Sequence, residues 1–230
     1  MREWELWRSF WGSCGARGDP KAIFEDLDHR YHEPHRFYHT WEHVRVCLEE
    51  LAPARPLCRD QIAVELALWC HDAVYDSRAK DNERRSAAIA RAAAVGMGLG
   101  EAAAAEAEAL VLATTHGENE GERGTWATDI RVVLDIDLAI LGRPPREFTA
   151  YEAGIRAEYS SLSDEDYRKE RCLVLQSFVS RPRIYRTELF RERYERQARA
   201  NIQEILARLA VRAISPVSSP ASRPLAKRRG

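Results

Sequence analysis

The apolar run from Ile62 to Val74 contains the stretch Trp69-Cys70-His71-Asp72 close to its end. An ionised carboxylate that is buried among apolar side chains is costly unless it is paired with another group or bound to a metal. The run has the length and composition of a buried helix, so we expect residues 60–75 to be helical. The rest of the chain must then supply partners for His71 and Asp72.

The other apolar residues recur mostly with helical spacing, and no stretch alternates with a period of two over a useful length. Asp19-Pro20 and Thr40 are good helix starts because Asp and Thr cap free N–H groups. Pro53 and Pro56 are expected to end the helix that Thr40 begins. The fold class is therefore expected to be all-α. The predicted helices are residues 4–11, 20–29, 41–51, 60–75, 82–95, 101–115, 126–141, 146–161, 164–180 and 190–211.

Length and composition are those of one ordinary globular domain. The chain has 230 residues, of which 45% are hydrophobic and 31% are charged. We expect a single domain over residues 1–212 and a flexible basic tail over 213–230, where Ser, Pro and Arg follow no period. The net charge of -1 argues against a nucleic-acid polymer as the main partner.

Several features favour a cytoplasmic protein that does not enter a membrane. No apolar run approaches the roughly 18–20 residues of a membrane helix, and the first ten residues lack a secretory signal. The cysteines at positions 14, 47, 58, 70 and 172 form no CxxC pair, which is typical of reduced cytosolic thiols. A homodimer stays open at this point.

Other His and Asp residues are candidate partners for the His-Asp pair. His39 and His43 are four residues apart and so share one face of a helix. Asp135 and Asp137 lie inside the apolar run 133–138. Imidazole and carboxylate ligands suit zinc, iron, manganese, nickel or cobalt, and they can converge from distant helices in a bundle core. We therefore expect a metal site, while a structural role for Asp135 as a cap or ion-pair partner stays open.

The order His43, His71-Asp72, Asp137 resembles the H…HD…D signature of the HD superfamily of metal-dependent phosphohydrolases. The chain is similar to the predicted bacterial phosphohydrolases of that superfamily up to about residue 212. An HD-domain-like helical bundle with additional C-terminal helices is the fold that this resemblance implies. The segments that carry it are Tyr38-His39-Thr40-Trp41-Glu42-His43-Val44, His71-Asp72-Ala73-Val74-Tyr75-Asp76, Asp81-Asn82-Glu83 with Ser86-Ala87, Asp135-Ile136-Asp137-Leu138-Ala139-Ile140-Leu141-Gly142, Ile155-Arg156-Ala157-Glu158-Tyr159 and Ala198-Arg199-Ala200-Asn201-Ile202.

The resemblance also implies residue roles. The implied ligands of a divalent ion (Mn, Ni, Co, Zn, Fe or Mg) are His43, His71, Asp72 and Asp137. Asp137 is preferred to Asp135 because the distantly related cyclic-nucleotide phosphodiesterases place their ligand Asp directly before a Leu. Those enzymes also carry a YHxxxH segment whose first His donates a proton, which makes His39 the implied general acid.

The implied activity is hydrolysis of a phosphomonoester or phosphodiester in a small phosphorylated molecule, with a nucleotide as the leading example. The ion would polarise a phosphoryl oxygen and lower the pKa of a bound water, and that water, as hydroxide, would attack the phosphorus. Asp72 would orient that water, and His39 would protonate the leaving oxygen. Weaker candidates for substrate contact are Arg36, Asn82, Glu83 and His116.

Two other functions stay open. His116 and a carboxylate from residues 81–83 would complete a two-iron centre for an HD-type oxygenase. Superfamily members with two metals usually carry a further His after the HD pair, where this chain has Asp81, Asn82 and Glu83, so one ion is expected rather than two. A metal-stabilised helical binding module without catalysis is the third possibility.

Overall fold

Helices account for all the regular structure in the part of the chain that the computed structural model describes, residues 2–116 and 124–214, with side chains up to 210. The predicted all-α fold class is confirmed. The predicted loop at 118–124, apart from its last residue, and the tail from 215 onward lie outside the described residues. Within the described ranges, no helix combines the length and apolar character needed to cross a membrane.

The α-helices are α1 (Arg2–Ser13), α2 (Pro20–Tyr31), α3 (Trp41–Ala54), α4 (Gln61–Cys70), α5 (Asn82–Gly96), α6 (Glu101–Leu112), α7 (Ala127–Asp137), α8 (Pro145–Glu158), α9 (Asp164–Val179), α10 (Glu188–Phe190) and α11 (Arg196–Ile214). Short 3₁₀ turns span Arg55–Leu57, Ala113–Thr115 and Leu138–Gly142, and a π-helical turn spans Arg191–Glu195.

The capping residues act as the sequence predicts, whereas Pro53 does not. The side chains of Asp19 and Thr40 accept hydrogen bonds from backbone N–H groups at the starts of α2 and α3. The prediction that Pro53 ends α3 is wrong, because the helix continues to Ala54. Pro53 has no N–H group, so the carbonyl of Glu49 loses its helical hydrogen bond. Glu49 is exposed, and water can satisfy that carbonyl instead.

The helix before the His-Asp pair ends earlier than the sequence predicts. α4 stops at Cys70, and the chain turns at once, with the N–H of Ala73 bonded to the carbonyl of Cys70 at 2.9 Å. The guanidinium of Arg36 donates to the carbonyls of Asp72 at 2.6 Å and Ala73 at 3.0 Å. These bonds satisfy carbonyls that a longer helix would have paired. His71 and Asp72 therefore lie beyond the C-terminal end of α4 rather than within it.

The apolar helix α4 is the centre of the bundle. It contacts α3, α5, α6 and α7, and its residues are buried on most sides. Trp69 of α4 meets Trp7 of α1 edge to face, with ring centroids 5.3 Å apart. In the C-terminal part of the chain, α9 and α11 pack against each other. The His-Asp pair thus follows directly from the best-buried helix of the protein.

Asp129 of α7 fixes the start of α4. Its carboxylate accepts the backbone N–H groups of Arg59 at 2.7 Å and Asp60 at 2.8 Å. Glu106 of α6 is hydrogen-bonded to the same Asp129 carboxylate. Burial, together with this bond and the neighbouring negative charge, raises the pKa of Glu106 to about 7.

This contact predicts a pH dependence of stability. The folded protein binds the Glu106 proton more tightly than the unfolded chain, so the free energy of unfolding falls as the pH rises from the ordinary pKa of 4.5 to about 7. Glu106→Gln, which cannot ionise, should lose less stability over that window. Urea denaturation at several pH values measures the effect, and parallel pH curves for the two proteins would contradict it.

Gly142 gives a second prediction. A methyl group added there would lie 2.8 Å from the backbone oxygen of Tyr194 and 2.9 Å from its Cα. Since backbone cannot rotate away like a side chain, we expect Gly142→Ala to lower the free energy of unfolding by about 1–3 kcal/mol. The control is Gly12→Ala in α1, where no atom lies within 4 Å, and which should be neutral or slightly stabilising. Equal stability of the two variants would contradict the close packing.

Candidate metal centre

Four segments bring His and Asp side chains to one point at the ends of helices. His43 lies in the first turn of α3, and His71 directly follows α4. Asp137 is the last residue of α7, and His116 follows the 3₁₀ turn after α6. Residues far apart in sequence therefore meet because four helix ends meet.

The ring nitrogens and carboxylate oxygens of the predicted ligands converge. The Nε2 atom of His43 lies 2.9 Å from Nε2 of His71, 3.1 Å from Oδ1 of Asp137 and 3.4 Å from Oδ2 of Asp72. Nε2 of His71 lies 3.1 Å from Oδ2 of Asp72 and 3.6 Å from Oδ1 of Asp137. Neighbouring donors on one ion, with bonds of about 2.1 Å, lie about 3.0–3.4 Å apart. The spacing of these four side chains fits a single divalent ion.

His71 is oriented as a metal-binding histidine is. Nδ1 of His71 bonds to the backbone carbonyl of Leu68 at 2.9 Å, and because a carbonyl only accepts, Nδ1 carries the hydrogen. Nε2 is then the nitrogen that faces the cluster and can bind an ion after losing its hydrogen, as in metal-binding histidines with an outer hydrogen bond. His43 and His71 are 4% and 2% exposed, so bulk water does not compete for either ring.

The local electrostatics call for a cation. Asp72 and Asp137 lie at the C-terminal ends of α4 and α7, where the helix dipole opposes negative charge. Burial alone would raise the pKa of Asp137, but hydrogen bonds from His116, His43 and His71 hold it well below its usual value. Histidine neighbours thus keep the Asp137 carboxylate ionised, and a metal ion is able to take the same role.

Cys47 also belongs to the cluster, and it is absent from the set that the sequence predicted. One donor atom from each of His43, Cys47, His71 and Asp137 lies within 4.8 Å of every other. This buried group can hold a metal ion. The spacing of four between His43 and Cys47, both on α3, was the available signal.

Asp135, the alternative to Asp137, lies elsewhere. Its carboxylate accepts the backbone N–H groups of Arg186 and Thr187 and the hydroxyl of Thr187, each at 2.7 Å. The residue is fully buried, and burial raises its pKa to about 6. Asp135 therefore anchors the segment that leads into α10, and Asp137 is the Asp that faces the cluster.

His39, the predicted general acid, is held by a residue that the sequence did not assign. Its Nδ1 lies 2.7 Å from Oε2 of Glu158, the last residue of α8. Oε1 of Glu158 accepts the backbone N–H groups of Phe37, Tyr38 and His39 at 2.7–2.9 Å. Burial would raise the pKa of Glu158, but the hydrogen bond and charge of His39, with the backbone bonds, lower it to about 2. The carboxylate stays ionised and fixes the imidazole.

The weaker candidates have different positions. Arg36 is neither a surface residue nor a free phosphate contact, since its buried side chain bonds to Glu33 and to backbone carbonyls. Asn82 holds the backbone of Asp76 through its side-chain amide and also lines the cavity beside the cluster. Glu83 lies in the wall of that cavity. The remaining histidines at 29, 32 and 35, which the sequence did not select, are exposed.

His116 lies at the edge of the cluster. Its Nε2 is 2.8 Å from Oδ2 of Asp137, whose other oxygen faces His43. Its backbone has φ of 58°, the left-handed region that side chains rarely adopt. Asp137 therefore lies between the His43–His71 pair on one side and His116 on the other.

A cavity of about 590 Å³ opens beside the cluster. His39, Asp72, His116 and Asp137 all contribute to its wall. Much of the remaining wall is aromatic or aliphatic, with Tyr38, Tyr75, Tyr151, Tyr159, Tyr167, Leu138, Ile140, Leu141, Ile155, Leu162, Val174 and Phe178. A small molecule in this space would reach both the donor cluster and His39.

Known proteins provide no family for this chain, since no family model, no curated protein and no solved structure matches it. The chemistry of its own side chains is the basis for a functional assignment.

The cluster predicts metal content that depends on His71. Protein purified without a metal-affinity tag should contain about one ion per chain, and His71→Ala should lose it because a buried ligand is missing. The control is His29→Ala, an exposed position that should keep the ion. Elemental analysis measures the content. An absence of metal in every sample, with no thermal stabilisation by added manganese, nickel or zinc, would contradict the site.

Proposed function

We propose that the protein is a metal-dependent phosphohydrolase of the HD type, which cleaves a phosphomonoester or phosphodiester in a small phosphorylated molecule. The observation that carries this proposal is that a buried group able to hold a metal ion and an imidazole fixed by a carboxylate border the same cavity. Ester hydrolysis needs an activated water on one side of the reacting atom and a proton donor for the leaving group.

The ligand cluster supplies the first requirement. A divalent ion held by His43, His71, Asp72 and Asp137 would supply Lewis acidity and a bound water of lowered pKa. The side chain of Asp72 is 21% exposed and lines the cavity, so it can also accept a hydrogen bond from the attacking water. One carboxylate thus serves both the ion and the nucleophile.

His39 supplies the second requirement. Its Nδ1 is committed to Glu158, which leaves Nε2 as the nitrogen that exchanges a proton with a molecule in the cavity. The ring stacks on Tyr75, with centroids 4.1 Å apart, and this contact fixes its plane. In the proposed reaction, Nε2 gives its proton to the leaving oxygen and later regains one from water.

The cavity wall supports an organic group with a planar ring. Tyrosine and aliphatic side chains form most of the surface away from the cluster, and aromatic rings stack well on such walls. A nucleoside monophosphate is the leading example of a substrate with one phosphate and one planar ring.

The proposal is tested by hydrolysis of phosphomonoesters and phosphodiesters in the presence of manganese, cobalt, nickel, zinc or magnesium. We expect phosphate release that depends on the metal and disappears in His71→Ala. Metal-loaded protein that hydrolyses none of these esters would overturn the proposal. If the metal-loaded protein nevertheless binds these phosphorylated compounds, and His39→Ala binds them equally well, the non-catalytic binding module becomes the favoured function.

His39 and Glu158 give a specific kinetic prediction. His39→Ala should lower kcat by about 10²–10⁴-fold, because the leaving oxygen loses its proton donor. Glu158→Gln should lower kcat by at least about tenfold and change its pH dependence, with KM and metal content little altered. Steady-state kinetics at several pH values provide the measurement.

Glu165→Gln is the matched control for Glu158→Gln. Glu165 is an exposed residue on α9 that pairs with Lys169. Its substitution should leave kcat and the pH profile unchanged. If Glu158→Gln keeps the wild-type profile while folding normally, Glu158 has only a structural role.

His116 favours a second candidate function, oxidation with dioxygen at a two-iron centre. Its Nε2 atom and Oδ2 of Asp137 lie 2.8 Å apart, so a third imidazole is available beside the cluster. About two irons per chain with a characteristic spin signal would favour this function. Colourless protein that manganese or cobalt activates for ester hydrolysis would oppose it.

We also propose a cytoplasmic location. All five cysteines are free thiols, including the buried Cys47 and Cys70. The cytosol keeps such thiols reduced. Detection of the protein outside the cytoplasm by fractionation would overturn this assignment.

A further inference from the structure

Arg171 is a buried cation in the wall of the cavity beside the cluster. It lies on α9 and is 8% exposed. Among the described residues that line the cavity, it is the single lysine or arginine. The same described wall contains the carboxylates of Asp72, Asp76, Glu83, Asp137 and Glu170. Apart from the histidines and the proposed ion, Arg171 is therefore the positive group that an anionic ligand meets there.

The guanidinium of Arg171 is fixed at one edge and unpaired at its other end. Nε and Nη2 donate to the carboxylate of Glu152, and Nη2 also donates to the hydroxyl of Tyr151 at 2.8 Å. Nη1 has no hydrogen-bond partner among the described residues, yet it is not shut off from solvent. Glu152 does not line the cavity, whereas Arg171 does. The ion pair thus orients the guanidinium and leaves Nη1 for a ligand.

Tyr167 provides a second polar group without a partner. It lies one helical turn before Arg171, on the same face of α9. Its side chain lines the cavity, and its hydroxyl is buried with no hydrogen-bond partner in the described part of the chain. An unpaired buried polar group costs free energy, which a ligand recovers by bonding to it. Two neighbouring polar groups therefore lack the partner that a ligand oxygen supplies.

Contacting aromatic rings connect Arg171 to the donor cluster. Cζ of Arg171 lies 5.2 Å from the ring centroid of Tyr151, and that ring packs against the ring of Tyr38 at 4.6 Å. The ring of Tyr38 lies 4.8 Å from the ring of His43. Only two tyrosine rings thus separate Arg171 from the candidate ligand His43, so one small molecule in the cavity can reach both ends.

Two simpler readings account for less. Arg36, the phosphate contact that the sequence suggested, donates to Glu33 and to backbone carbonyls and does not line the cavity. A purely structural role for Arg171 explains its bonds to Glu152 and Tyr151. That role does not explain why the unpaired end of the guanidinium belongs to the cavity wall.

We infer that Arg171 binds a phosphate oxygen of the substrate through Nη1. Arginine is suited to this task because its planar, permanently charged group forms strong hydrogen bonds to phosphate. The oxygen belongs either to the phosphoryl group that is cleaved or to a second phosphate of the same molecule. This inference rests on the proposed function and names a residue that selects its substrate.

Binding of phosphonates tests the inference without any turnover, because hydrolysis of an ester does not break a carbon–phosphorus bond. The metal-loaded full chain is titrated by calorimetry with phenylphosphonate, which has one anionic group. A second titration uses trimethylene diphosphonate, which has an anionic group at each end of a short chain. Arg171→Gln should weaken binding of at least one probe by at least about tenfold, the loss expected for a charge-assisted hydrogen bond.

The two probes identify which phosphate Arg171 contacts. Weaker binding of both probes assigns it to the phosphoryl group that is cleaved, and weaker binding of the diphosphonate alone assigns it to a second phosphate. The control is Lys169→Gln, which removes the same charge from an exposed position of α9 and should leave both affinities unchanged. Equal weakening by Lys169→Gln would overturn the inference, because charge on the surface would then explain the effect.

Glu152→Gln separates ligand contact from a structural role. It breaks the ion pair but keeps the charge of Arg171, so phosphonate affinity should stay equal or increase. Equal weakening in Glu152→Gln and Arg171→Gln would overturn direct contact. Arg171→Gln alone leaves the Glu152 carboxylate buried without its partner. If this variant does not fold, the double variant Arg171→Gln with Glu152→Gln replaces it and should show the same loss of affinity.

The outcomes also separate this inference from the proposed function. Wild type that binds neither probe, or Arg171→Gln that binds both as wild type does, overturns the inference, and ester hydrolysis by the same protein leaves the enzyme intact. Phosphonate binding that depends on Arg171, in a protein that cleaves no ester, supports the anion site and overturns the enzyme.

Discussion

Buried charge is the constraint on which the rest of the structure depends. Asp72 and Asp137 are carboxylates at the negative ends of two helices, and two imidazole rings face them across about 3 Å. Without positive charge between them, these groups would repel each other or take up protons. The bundle holds them together all the same, which is physically sensible when a cation completes the group.

Two other buried charges hold the backbone around this centre. Arg36 donates to the carbonyls of His39, Asp72 and Ala73, and Glu158 accepts three successive N–H groups from residues 37–39. Arg36 belongs to the short segment between α2 and α3 and ties it to the turn after α4, while Glu158 ties the same segment to the end of α8. Because Arg36 also holds the turn after α4, His39 and the His-Asp pair keep a fixed relation. Neither residue lines the cavity, so both act on the site by positioning other groups.

Local sequence signals were enough to predict most helices, whereas the residues expected to meet at the centre were named from the family resemblance. Apolar periodicity marked α4, and the capping chemistry of Asp19 and Thr40 marked two helix starts. The end of α4 was not predictable from its own sequence, because an arginine from the preceding loop satisfies the freed carbonyls. A contact of this kind, between residues 36 apart, has no local signature.

The candidate metal centre also combines residues that the sequence indicates with contacts that have no local signature. Asp135 and Asp137 lie in one apolar run, and the sequence does not show which of them faces the cluster. The hydrogen bonds of Asp135 to residues 186–187 identify it as the structural residue and leave Asp137 as the candidate ligand. Glu158 is 119 residues from His39, so its hold on the imidazole could not be deduced from spacing. Cys47 was visible as a helical neighbour of His43, yet a buried thiol has an ordinary explanation in the core.

The left-handed backbone at His116 lowers the stability of the fold at a position where the side chain contacts the candidate site. Glycine would adopt φ of 58° without strain, and asparagine would adopt it with little. A chain selected for stability alone would therefore place one of these residues there. Histidine at this position keeps an imidazole against Asp137 at a cost to the fold, and such unfavourable conformations gather at working sites. Natural variation at 116 would then record which demand prevails in a given relative: glycine where the imidazole has become dispensable, histidine where it has not.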